Sequence, residues 1–365
     1  MICIDGLDPD YLEACETPNL DEMARKGFLV LGLSMMPSVT NVNNVSLVTG
    51  RYPSEHGIAS NYLRSPEGGG GQYMESADYV RAESLFERSA SLGKRSLLVT
   101  SKDKLRTLLG RGATISVSSE KAPDWVTAAV GAPPEIYSLE VNGWAIRAAT
   151  FIASREPADV IYISTTDYAM HTFAPDEPES QRHMTILDGA IGDLVAAMPE
   201  AAVLITADHG MSAKTRMVDV AGELERKGIA AEAVPIIKDR YTVHHSNLGG
   251  CTNVYLRNGE VDEAAKVLRE TRGVERALPR DEAAELWRLP ADRIGDVVVT
   301  GEADVVFGDP GEVALPERLR SHASEHERGV PILGYNGDFE GREFAENVDV
   351  GRYVFDALGG SGPPS

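Results

Sequence analysis

Cysteine is scarce in this 365-residue chain: only Cys3, Cys15 and Cys251 occur, with no CxxC pair among them. That excludes a disulfide framework and fits free thiols in a reducing compartment, so the cytoplasm is the expected location. Long apolar runs are also missing, since none approaches the ~18 residues of a membrane span. The N-terminus lacks the basic-then-apolar order of an export signal. Met-Ile-Cys-Ile instead runs straight into Asp5, as if a core strand were already under way, and a few residues are expected to precede it in the natural protein. Basic residues are in the minority: 35 Lys and Arg against 56 Asp and Glu leave a net charge of −21. Such a surface repels nucleic acid phosphates and anionic membranes, which removes both from the expected partners. A small anionic substrate would then need a local positive centre made of lysine, arginine or metal. Gly68–Gly71 has neither GK[ST] nor a strand-to-helix context, so it reads as a hairpin tip, not a phosphate cradle.

What the chain does contain is alternation. Apolar runs at 2–5, 95–100, 113–118, 157–163 and 202–207 are separated by amphipathic stretches such as 82–92, 135–153 and 179–198. This order predicts an α/β fold with a mainly parallel central sheet flanked by helices. Three of the strands run into an acid: Ile4-Asp5, Ile163 onward to Asp167, and Ala207-Asp208-His209. Acids there would gather at the carboxyl edge of the sheet, where open α/β folds bind ligands. From 212 to 293 the character shifts to charged helices (217–227, 260–272, 281–287) mixed with short β-like pieces (231–236, 252–256, 274–277). An inserted α+β cap domain over 212–293 is expected, with 1–211 and 294–365 forming the catalytic core. The runs 295–300 and 303–307 are expected to rejoin that core, and a helix over 347–358 to close it, with a tail from Gly359 onward.

Eight histidines occur, several in metal-ligand company. Asp167 and His171 stand in TTDYAMH, an i,i+4 spacing that converges if the segment turns helically. Asp208-His209 stands in TADHGM, Asp5 ends the first strand, and His322 sits in LRSHASEH. Taken singly, each is an ordinary surface or turn feature. Together they offer three carboxylates and three imidazoles, enough for two borderline ions such as zinc. Thr40, in PSVTNVNNVSLVTG, is placed to cap a short helix that Gly50 ends. The plain reading is a cap that stabilises the helix by about 1 kcal/mol. The chemical reading is a hydroxyl that becomes a nucleophile beside a dication.

The order Asp5, then PSxTxxNxxSLVTGxYPxxHGI ending at Asn61, then DxxxH, DHG and a late histidine resembles the alkaline phosphatase superfamily, in its nucleotide pyrophosphatase/phosphodiesterase-like branch. The resemblance implies an alkaline phosphatase-like fold and two Zn²⁺ ions, with Mn or Fe as alternatives. It places Asp5, Thr40, Asp208 and His209 on one ion and Asp167, His171 and His322 on the other. Thr40 would be the nucleophile and Asn61 a phosphoryl-oxygen ligand, with His56 structural. His326 rivals His322 in the late loop, and His183 falls inside an amphipathic helix.

The stretch VTSKDKLRTLLG resembles a segment of phosphonoacetate hydrolases, which implies that Lys102 and Lys104 bind the substrate carboxylate. From KxK spacing alone, a solvated helix start is the simpler reading. IKDRYTVHHSNLGG resembles the same family's cap-side loop and adds Arg240, His244 and, as an alternative to a structural role, His245. The expected reaction is hydrolysis of the carbon–phosphorus bond of phosphonoacetate to acetate and phosphate by a di-zinc site. A phosphodiesterase or nucleotide pyrophosphatase, with Tyr62 lining a base slot, is the alternative. A related phosphoglycerate mutase would carry serine where Thr40 stands, and a metal- or phosphonate-binding protein would need no nucleophile. The expected partner is a small anionic phosphonate, and a homodimer is left open.

Overall fold

A computed structural model describes residues 1–65 and 69–359. The expected tail after Gly359 lies outside them, as does Gly68, although Tyr62–Arg64 and Gly71–Tyr73 pair as the two arms of the hairpin. The central sheet has seven strands in the order 28–33, 329–335, 203–206, 2–3, 160–164, 96–100 and 115–118. The last five run parallel, with Ile2 opposite both Ile163 and Ile205. Gly329–Tyr335 is antiparallel to both of its neighbours. All five apolar runs singled out above fall in this sheet. They are continuous rather than alternating because both faces are covered: Leu97, Val99 and Ile163 pack into one apolar cluster, Leu98 and Tyr162 into the other. On the first face lie helices Val141–Arg155 and Pro178–Ala197; on the second lie Thr40–Thr49 and Val348–Ala357.

A second, antiparallel sheet holds strands 231–235, 251–256, 297–301 and 274–279 in that order. This corrects the expectation for 295–300. Val297–Gly301 does not rejoin the central sheet but pairs with Cys251–Leu256 on one side and Val274–Pro279 on the other. Val297 and Val299 pack with Val254, Ala264 and Leu268, while Val298 faces the cluster that holds Leu289 and Ile294. A strand buried on both faces looks the same in sequence whichever sheet owns it. Val305–Phe307 likewise pairs outside the central sheet, parallel to Arg216–Val218.

Helix Thr40–Thr49 is buried at all ten positions despite the polar run TNVNNVS. Its asparagines are satisfied individually, as buried amides must be. Asn41 donates to the Met74 carbonyl, Asn43 bonds the backbone of Met35, and Asn44 donates to Asp208. The N-cap is Val39, one residue earlier than expected. Thr40 is the first helical residue and makes no capping bond, which leaves its hydroxyl free for other work. Gly50 ends the helix at φ 62°, as expected.

Candidate metal and phosphoryl-transfer centre

The carboxyl ends of three adjacent strands deliver three buried acids. Asp5 follows Ile2–Cys3, Asp208 follows Val203–Thr206, and Asp167 lies three residues past Val160–Ser164. Gly6, at φ 73°, turns the chain sharply; its N–H donates to Asp208 Oδ1 at 3.1 Å, and a Cβ there would crowd that of Asp167. Neither oxygen of Asp5 accepts a hydrogen bond, although both are buried. An unpaired buried carboxylate is costly, and three together with a single ammonium call for further positive charge. This donor set fits divalent metal.

Three imidazoles face those acids, each oriented from behind. His209 Nδ1 donates to the Gly210 carbonyl (2.9 Å), His322 Nδ1 to that of Ser38 (2.7 Å) and His171 Nδ1 to that of Arg320 (2.6 Å). Each bond orients its ring so that Nε2 faces the acids, the arrangement metal-ligating histidines use. His209 Nε2 lies 3.3 Å from Asp5 Oδ1, 3.7 Å from Asp208 Oδ2 and 3.5 Å from Thr40 Oγ1. His171 and His322 reach Asp167 Oδ2 at 2.9 and 3.9 Å. Ligand atoms of Asp5, Asp208 and His209 converge within 4.8 Å. Asp167 gathers in two ways, with His209 and His322, and with His171 and His244.

Lys102 lies wholly buried between the acids, 2.7 Å from Asp167 Oδ1 and 3.8 Å from Asp5 Oδ2. Burial opposes its charge, but Asp167 and Asp5 outweigh this and keep it protonated. Lys104 pairs with Asp239, which also accepts from Asn61 Nδ2 at 3.4 Å, and the Tyr241 ring lies 5.5 Å from the Lys104 ammonium. Arg240 turns toward Glu75 and the Tyr73 ring with its side chain 65% exposed, away from the acids. His244, expected among the substrate contacts, reaches the acid–imidazole cluster itself: its Nε2 is 3.4 Å from Asp167 Oδ1. His245 packs beside it, 5.5 Å from the His171 ring.

The charges respond to one another. Burial works against protonation of His209, yet Asp208 and Asp5 raise it to about 9. Burial and the neighbouring Asp5 lift the Asp208 carboxyl to about 8. Burial would raise Asp167 too, but Lys102, His171 and His244 hold it well below the usual carboxylate range. Asp208 and His209 thus hold protons that a bound dication would release.

The remaining histidines separate cleanly. His56 bonds Ser46 Oγ and accepts from the Ile58 N–H, His183 Nδ1 donates to the Leu139 carbonyl, and His326 is half-exposed on Glu275. None of them joins the cluster. Two contributors escaped the sequence reading. Asp239 engages Lys104 and Asn61 from a distant segment, and Asn44 ties Asp208 to helix Thr40–Thr49. The run of asparagines in an otherwise apolar buried stretch was the available signal for the second.

A family model described as type I phosphodiesterase / nucleotide pyrophosphatase matches residues 1–326. The crystal structure of phosphonoacetate hydrolase from Sinorhizobium meliloti 1021, in complex with phosphonoacetate, is similar at a TM-score of 0.90 and 32% identity, covering 98% of this chain and 94% of that one. Murine ectonucleotide pyrophosphatase / phosphodiesterase 5 shares the fold at a TM-score of 0.73 and 17% identity, over 100% of this chain and 95% of that one. Bis(5'-adenosyl)-triphosphatase enpp4 of Mus musculus is 24% identical over 285 residues, 70% of this chain and 59% of that protein. An uncharacterized pyrophosphatase/phosphodiesterase of Schizosaccharomyces pombe is 24% identical over 233 residues, 58% of this chain and 44% of its own. The matched region spans less than two thirds of either curated relative.

Proposed function

Because the chain belongs to the type I phosphodiesterase / nucleotide pyrophosphatase family and is thereby a hydrolase of the alkaline phosphatase superfamily, we propose that it cleaves the carbon–phosphorus bond of phosphonoacetate, giving acetate and phosphate, with Thr40 as nucleophile. The observation that carries this reading is the pair of buried ammonium groups, Lys102 and Lys104, set beside the acid–imidazole cluster. A substrate with a phosphonate at one end and a carboxylate at the other needs two positive centres at a fixed spacing. An ammonium has three donors, so each lysine, after serving its aspartate, keeps capacity for a substrate oxygen.

Two zinc ions, with Mn or Fe as alternatives, would be held by Asp5, Thr40, Asp208 and His209, and by Asp167, His171 and His322. When bound, they supply positive charge that lowers the threonine hydroxyl pKa and offsets the charge on the phosphonate oxygens. The Thr40 hydroxyl, freed from capping, gives its proton to solvent, and its oxygen attacks phosphorus in line. The P–C bond breaks and its electron pair moves onto the acetate carbon as an enolate, whose carboxylate Lys102 and Lys104 stabilise. That carbon takes a proton from solvent to become acetate. Water then cleaves the O–P bond of phosphothreonine, restoring the hydroxyl and releasing phosphate. Asn61 would hold a phosphoryl oxygen, and exposed Arg240 would meet the anion at the entrance. The second sheet, with segment 236–248, would act as the cap. Alkylphosphonates without the carboxylate have no stabilised leaving group and are expected to be inert.

One observation favours the phosphodiesterase reading as a second. Tyr62 follows Asn61, with the Tyr73 ring at 5.2 Å and the Lys238 ammonium 4.1 Å over its face, an aromatic platform suited to a base. Rates on zinc-loaded protein, read as phosphate release from phosphonoacetate and as nitrophenol release from a nitrophenyl phosphodiester, separate the two. Phosphonoacetate turned over far faster than a nitrophenyl phosphodiester supports the first reading; the reverse order hands the site to the second.

A further inference from the structure

Buried imidazoles need partners. The His244 side chain is 1% exposed, yet neither Nδ1 nor Nε2 makes a hydrogen bond. An unsatisfied buried polar group costs about 1–3 kcal/mol, so this ring is held for another reason. Its surroundings are the Asp167 carboxylate at 3.4 Å, the His171 ring at 4.7 Å between centroids, and the rings of Tyr137 and His245. Ligand atoms of Asp167, His171 and His244 lie within 4.8 Å of one another. His171 is oriented by the Arg320 carbonyl and Asp167 by Lys102, so two of the three donors are already fixed.

The third comes from elsewhere in the fold. His244 belongs to the segment between strands 231–235 and 251–256 of the second sheet, not to the central sheet. Just after it, Ser246 (φ 51°) and Asn247 (φ 57°) adopt the left-handed conformation, and Asn247 Oδ1 accepts from the Asp239 N–H. The same short segment therefore carries Asp239, which grips Lys104 and Asn61, and His244, which faces Asp167.

We propose that His244 is a protein ligand of the metal at the Asp167–His171 position, so that metal binding and the seating of segment 236–248 over the site are one event. This rests on the metal reading of the cluster given above. An imidazole delivered from the second sheet gives that metal a donor the central sheet does not supply, and the bare nitrogen that faces Asp167 then has a partner. Catalytic zinc keeps a position open for substrate, so an incoming phosphonate oxygen would exchange with His244.

The test is a zinc titration of the metal-free full chain, without phosphonate, in wild type, His244→Ala and His244→Cys, with circular dichroism confirming folding. The inference expects His244→Ala to weaken one of two sites by at least about tenfold, the change seen even for outer-shell partners. His244→Cys should restore affinity and, loaded with cobalt, show a thiolate-to-metal charge-transfer band. Zinc should also protect the Arg240–Tyr241 bond from trypsin in wild type but not in His244→Ala. Two ions bound with unchanged affinity by His244→Ala, or a raised KM for phosphonoacetate as its sole defect, overturns the inference and leaves the proposed function standing. Failure of wild type to bind zinc overturns both.

Discussion

Thr40 and the two lysines carry different burdens, and single substitutions separate them. Thr40→Ala removes a hydroxyl that makes no cap bond, so turnover should vanish while stability changes little. Thr40→Ser should retain part of the activity, which a steady-state assay of both variants checks. Lys104→Ala should lower kcat/KM for phosphonoacetate about ten- to a hundredfold, from a charge-assisted contact of roughly 1.5–3 kcal/mol. Hydrolysis of a nitrophenyl ester should barely change, provided Asp239→Asn accompanies the change so that no carboxylate is stranded. Lys102 differs because it also holds Asp167. Lys102→Ala should slow both substrates, and a selective loss there would contradict the placement. His244 shows where single-residue reading stopped. An HH dipeptide in a loop has no periodicity, so nothing local says that its ring meets an aspartate 77 positions earlier, as 244 − 167 gives.

At the scale of elements, helix Thr40–Thr49 is fixed from behind by Val348–Ala357. Gly351 lies so close that a Cβ would run into the Leu47 carbonyl oxygen and crowd Gly50. Gly351→Ala should therefore cost about 1–3 kcal/mol by overpacking and shift Thr40, lowering Tm and kcat together. Melting curves alongside kinetics check this, and an unchanged kcat would mean that the helix is held elsewhere. The five parallel strands were legible because burial on both faces leaves uninterrupted apolar runs bounded by turns. The same property misassigned Val297–Gly301, since two-sided burial marks a strand as central without saying in which sheet. The one-residue shift of the N-cap from Thr40 to Val39 has a similar origin: threonine suits the cap, but here its hydroxyl faces His209 at 3.5 Å.

For the whole molecule, metal and pH should govern stability. Ligands that bind only the folded state stabilise it by roughly 4 kcal/mol at a thousandfold excess over Kd. Chelation should lower Tm by several degrees, and zinc should restore it. Acid should destabilise the metal-free fold in a defined window. Burial depresses His56 to about 3 and His183 to about 4. In the unfolded chain both take up protons below about 6.5 while the folded state does not, so stability present above that pH is lost as pH falls toward the folded values. At pH 5 the loss should be roughly 2 kcal/mol for each, measured by denaturant titration at pH 7 and 5, and His56→Gln should remove its share. At this scale the sheet-edge acids and the order of motifs were readable along the chain. The Asp239–Lys104 pairing was not, because it joins residues 135 apart through a fold that no local pattern encodes.

The central claim is that Thr40 forms a covalent phosphoryl intermediate from phosphonoacetate. Rapid acid quench of the zinc-loaded protein during turnover, followed by mass analysis of the peptide spanning the PSVTNVNN segment, tests it most directly. The account predicts one added phosphoryl group on Thr40, with acetate released in a burst stoichiometric with enzyme before steady-state phosphate appears. Acetate and phosphate released together, with Thr40 unmodified at every quench time, would contradict it.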